Sequence, residues 1–136
     1  MWIINKLENM YWSFRKLRKH TIDELDDAIR DLKVLVTIDW DIWYNSWLIM
    51  KDLWKDFESG KFNTGAYGQP TRNDEENLIT KMVDSMKYEI GASSDDLYME
   101  IEQFFKLLWW YHVIDKKTNR KFRSICKRMG HKLLEK

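Results

Sequence analysis

The chain has 136 residues, of which 44% are hydrophobic and 33% charged, with one cysteine and a net charge of +1. That length supports one helical domain over residues 1–136 with a core of its own. The composition excludes a disordered chain, an intrachain disulfide and a zinc site built on cysteine pairs. A lone thiol suits a reducing compartment, so a cytoplasmic protein is expected.

Ile3, Leu7, Met10, Phe14 and Leu17 recur at helical spacing and predict an amphipathic helix over residues 2–19. With Lys6 and Glu8 inside it, this start does not read as a secretory signal. Thr21 followed by Glu24 forms a capping box, so a second helix starts at Ile22 and carries Ile22, Leu25, Ile29, Leu32 and Val36 inward. Asp23, Glu24, Asp26 and Asp27 crowd its first turns, where the helix dipole favours negative charge. Asp39 is expected to cap a third helix that runs to Ser59 and stops at Gly60. Its inward set is Trp40, Trp43 or Tyr44, Trp47, Met50, Trp54 and Phe57, with Asp52, Lys55 and Glu58 outside.

Residues 60–73, "GKFNTGAYGQPTRN", hold three glycines and the single proline and predict one long loop. Compact domains seldom keep a loop of this length without a use. Asn73 is expected to cap the fourth helix, whose stripe is Ile79, Met82, Val83, Met86 and Ile90 and whose end is Gly91. "SSDD" starts a fifth helix from Ser94 to about Ile114, with Leu97, Ile101, Phe104, Phe105, Leu108 and Tyr111 on its main face. Its second half, "FFKLLWWYHVI", is apolar nearly all round, as in a central or interface helix. "LLWWYHVI", the longest apolar run, is too short to cross a bilayer, so no membrane span is expected. "DKKTNR" reads as a turn, followed by a basic helix with Phe122, Ile125, Cys126, Met129 and Leu133, which Gly130 frays or kinks. The expected fold is therefore all-α, a bundle of five to six helices with one long loop between the third and fourth.

Charge is unevenly placed. Residues 1–20 sum to +4, residues 21–114 to −10 and residues 115–136 to +7. The basic ends are expected to pack against the acidic middle. The same middle disfavours a long polyanion, so DNA or RNA is not the expected partner.

Catalytic signals are weak. Cys126 lies on an apolar stripe, where a free cysteine is normally structural, and His131 does not stack neatly over it. His20, His112 and His131 are far apart, and His112 with Asp115 alone does not make a coordination sphere. No G-x-S-x-G or phosphate-loop pattern occurs. Glu24 and Asp27 lie three apart, while Asp52 with Asp56 and Asp96 with Glu100 lie four apart. These acidic helices resemble those of the all-α nucleotide pyrophosphohydrolases, and "ELDD" carries half of that family's E-x-x-E or E-x-x-D motif. The resemblance implies a magnesium-dependent hydrolase. Helix dipole and solvation account for the same acids without chemistry, so no enzyme, cofactor or metal site is expected.

The expected function is binding. Eight tryptophans and only three alanines leave more large apolar surface than one interior absorbs, which points to a protein partner or a homo-oligomer. Trp12, Tyr67, Trp109 and Trp110 are the candidate contacts. The composition resembles that of small phage-encoded proteins that act on, and inhibit, host machinery. The alternative is an oligomeric nucleotide-type binder, with Tyr67 stacking a base and Arg72, Arg120 and Lys121 holding its phosphate.

Overall fold

The computed structural model describes residues 19–32, 40–91 and 94–134. All but the last residue of the expected helix over 2–19, Trp12 within it and the Asp39 cap lie outside these residues. The described residues form five α-helices: α1 (Ile22–Leu32), α2 (Trp40–Glu58), α3 (Arg72–Ile90), α4 (Ser94–Trp110) and α5 (Lys116–Leu134). No strand occurs among the described residues, and none of the described helices is long and apolar enough to cross a membrane.

The described parts of the predicted stripes meet in one hydrophobic cluster to which all five helices contribute, while Val36 and the side chains of Leu32, Trp40, Ile90 and Leu133 lie outside the described residues. Helix α4 lies against α5 and also touches α2 and α3. Its main face, from Leu97 to Tyr111, is buried in full. On α2 the deeply buried residues are Trp47, Met50 and Trp54, while Trp43, Tyr44 and Phe57 are half-buried at the margin. The indole of Trp54 meets Phe105 edge-on at 5.5 Å and Phe122 at 5.4 Å, and those two phenyl rings stack at 4.8 Å. Aromatic side chains thus lock α2, α4 and α5 together with large buried area and edge-to-face geometry.

Helix α1 is tied to α2 by polar contacts. Its Thr21 hydroxyl accepts the Glu24 N–H at 3.1 Å, the expected cap. Asp26 is only 2% exposed. Its carboxylate accepts the Trp47 indole N–H at 2.8 Å, Lys51 Nζ at 3.1 Å and the Tyr44 hydroxyl at 3.2 Å. Arg30 closes the cluster from the rim, 3.0 Å from Asp26. Helix dipole alone therefore does not explain the acids of α1, because Asp26 is an anchor between helices.

Several boundaries differ from the sequence expectation. Helix α3 is capped by Thr71, not Asn73: the Thr71 hydroxyl accepts the Asp74 N–H and the Asp74 carboxylate accepts the Thr71 N–H. This reciprocal box outcompetes the Asn73–Glu76 pair because Asp74 also bonds back into the preceding loop. Helix α4 ends at Trp110, four residues early. His112 adopts φ +59, its N–H meets the Trp109 carbonyl at 3.1 Å, and the Val113 N–H meets that of Leu108 at 2.8 Å. That is a Schellman stop with histidine where glycine is usual. "DKKTNR" is not a turn. Asp115 accepts the Thr118 N–H at 2.7 Å and starts α5 at once. Gly130 neither frays nor kinks α5. A Cβ there would make ordinary contact with Tyr98, at 3.5 Å, so the helix runs through this glycine without a break to Leu134.

The expected packing of charge is present in part. Lys121 and Arg128 of α5 each lie 2.7 Å from an acid of α3, Glu75 and Glu76 respectively.

Candidate functional site

The connection between α2 and α3 spans residues 59–71 and is tightly organised. Phe62 packs against Phe57, with ring centroids 6.0 Å apart, and so belongs to the bundle. Beyond it the chain folds back on itself. The Gly65 N–H meets the Gln69 carbonyl at 2.9 Å, and the Gln69 N–H meets that of Ala66 at 3.2 Å. The central pair of this hairpin is Tyr67 at φ +59 and Gly68 at φ +72, the geometry of a type I′ turn. A side chain at position 65 would reach 2.5 Å from the Gln69 carbonyl oxygen, so only glycine fits.

Asp74 braces this loop. Its carboxylate accepts the Thr64 N–H at 2.9 Å, the Thr64 hydroxyl at 2.8 Å and the Thr71 N–H at 2.7 Å. The Asn63 carboxamide adds a bond to the Gly68 carbonyl at 2.7 Å. The Thr71 N–H, with the Thr64 groups, holds the Asp74 carboxyl down to about 2 from an ordinary 3.8, although burial pushes it up. The folded value is the lower one, so this bracing is complete above 3.8 and is lost as pH falls through about 2. Amide chemical shifts of Thr64 and Thr71 should titrate with a midpoint at about 2; a midpoint at 3.8 would mean that the bonds are not kept in solution.

Tyr67 stands at the tip, 100% exposed. It takes no part in the core. A β-carbon in this backbone region is strained, and type I′ turns favour Asn-Gly. Tyr67→Asn is therefore expected to raise stability by about 0.5–1 kcal/mol, read as a higher melting temperature. A lower melting temperature would mean that the phenol ring does pack on the fold.

The other expected contacts lie elsewhere. Trp109 and Trp110 are half-buried near the end of α4. Lys106 Nζ sits 4.7 Å from the centre of the Trp110 ring. Arg72 is exposed at the start of α3, 3.8 Å from Glu76. Lys121 is engaged by Glu75, and Arg120 faces a hollow beside Trp109. The nucleotide constellation of Tyr67, Arg72, Arg120 and Lys121 is thus not assembled around one cavity: only Arg120 lines that hollow.

Among the described residues, no three of His, Cys, Asp and Glu converge as a set of metal ligands. Glu24, of the hydrolase resemblance, is engaged by the His20 ring at 2.8 Å. Cys126 is fully buried, and burial pushes its thiol far up, away from the reactive thiolate. Comparison with protein-family models, curated proteins and solved structures finds no match, so the reading rests on the residues themselves.

Proposed function

We propose that the protein is a non-catalytic binding protein that engages a partner protein through Tyr67. The observation that carries this reading is the placement of a fully exposed tyrosine in a strained position of a braced turn. An aromatic side chain there contributes nothing to the core and costs conformational energy, a combination that persists where function requires it. A rigid loop loses little entropy on docking, and tyrosine is among the residues that dominate interface energies. The fitting partner surface is an apolar pocket with a hydrogen-bond acceptor at its floor for the phenol. Filling such a pocket blocks it to other ligands, so inhibition is the expected consequence.

The test is comparative capture from the cells that naturally contain the protein, using the native chain, Tyr67→Ala and Tyr88→Ala. Tyr88 is 92% exposed but lies on the regular helix α3, and it serves as the control. A companion retained by the native chain and by Tyr88→Ala, and lost with Tyr67→Ala, supports the reading. Equal retention by all three contradicts it.

A further inference from the structure

A second feature is separate from the Tyr67 loop. Between the end of α4 and the first half of α5 lies a hollow of about 310 Å³. Trp109 lines it, with Lys116, Asn119, Arg120, Arg123, Ser124 and Lys127. The lining holds four cations and no carboxylate. Lys127 lies 4.0 Å from Glu102, and Asp115 lines an adjoining hollow that shares Trp109 and Lys116. Lys116, Arg120 and Arg123 form no ion pair among the described residues, whereas Lys121 and Arg128 of the same helix do.

Two polar atoms in this lining lack partners. Asn119 is only 4% exposed, yet its Oδ1 accepts no hydrogen bond. The Arg123 Nε is likewise buried and unpaired. Folded proteins rarely leave such groups unsatisfied, so both atoms call for a partner from outside the chain, a water, an ion or a ligand. The complementary ligand needs an anionic oxygen for the guanidinium groups, an N–H donor for the Asn119 oxygen and a flat face for the Trp109 indole. Arginine forks suit phosphate oxygens. The volume is at the small end of ligand pockets, which favours one nucleoside unit.

We propose that this hollow binds a mononucleotide. Its base stacks on Trp109, a ring or amino N–H of the base reaches the Asn119 oxygen, and its phosphate sits among Arg120, Arg123 and Lys116. In the sequence Arg120 and Trp109 stand out separately, Asn119 falls in an expected turn and Arg123 is one of several cations of the last helix, because the cavity exists only once α4 and α5 are packed.

The test is isothermal titration of the full chain with AMP, GMP, CMP and UMP, and with inorganic phosphate as the bare-anion probe. At least one mononucleotide is expected to bind at one site per chain, more tightly than phosphate. Arg120→Gln and Arg123→Gln should each weaken it about tenfold. Arg120 is exposed, so its variant does not threaten the fold. Tyr67→Asn should leave the affinity unchanged, which separates this site from the proposed protein contact. Absence of heat with every mononucleotide overturns the proposal. Equal affinity for inorganic phosphate, or indifference to both arginine variants, overturns it too and leaves an adventitious ion only.

Discussion

Replacing Asp26 with alanine is expected to destabilise the protein by about 3–5 kcal/mol, the cost of breaking a buried ion pair from one side. The carboxylate is 2% exposed and answers Lys51, itself buried, together with the Trp47 indole N–H. Without it the Lys51 ammonium stays inside with no countercharge and the indole loses its acceptor. Asp26→Asn should cost less, because the carboxamide oxygen still accepts from Trp47. The double change Asp26→Ala with Lys51→Met should recover much of the loss, since well-packed apolar groups replace such pairs with little penalty. Urea unfolding followed by circular dichroism reads all three; a loss of under about 1 kcal/mol for Asp26→Ala would mean that the pair is solvated. The same group contributes to acid sensitivity. Burial pushes the Asp26 carboxyl up, but the Trp47 and Lys51 hydrogen bonds and the Lys51 and Arg30 charges bring it below its ordinary 3.8. Its contribution is thus present above 3.8 and fades as pH falls through the lower folded value.

The second large effect is expected at Trp54. Trp54→Ala should cost about 3–5 kcal/mol, the range for removing a buried aromatic side chain. The indole touches rings from α2, α4 and α5, so its loss opens a cavity where three helices meet. Trp43→Ala should cost clearly less. Trp43 is half-buried and stacks on Trp47 at 6.3 Å. Equal losses at the two positions in urea unfolding would contradict the division into core and margin indoles.

That division was only partly legible in the sequence. The 3.6-residue period placed Trp47 and Trp54 inward, and Gly60 and Gly91 marked the ends of α2 and α3 where the chain does turn left-handed. Period alone could not separate Trp43 from Trp47, since burial at the end of a stripe depends on which neighbour covers it. The end of α4 was missed because His112 takes the left-handed position that sequence reading assigns to glycine. Thr71 was missed as a cap because its advantage over Asn73 lies in the bonds from Asp74 to Thr64, seven residues before the cap. Asp26 resembled its acidic neighbours in sequence, and only the approach of α2 makes it different. The loop with Tyr67 was visible from its glycines and proline. The outward stance of the ring was not, because exposure is decided by the hairpin at Gly65 and Gln69.

Position-specific photocrosslinking is the most direct test of the proposed contact between Tyr67 and a partner protein. A benzophenone amino acid is placed at position 67 in one sample and at position 88 in another, and both are irradiated in the native cells. The account predicts one discrete protein adduct from position 67 and none from position 88, although both side chains are open to solvent. No adduct at 67, or the same adducts from both positions, would contradict it.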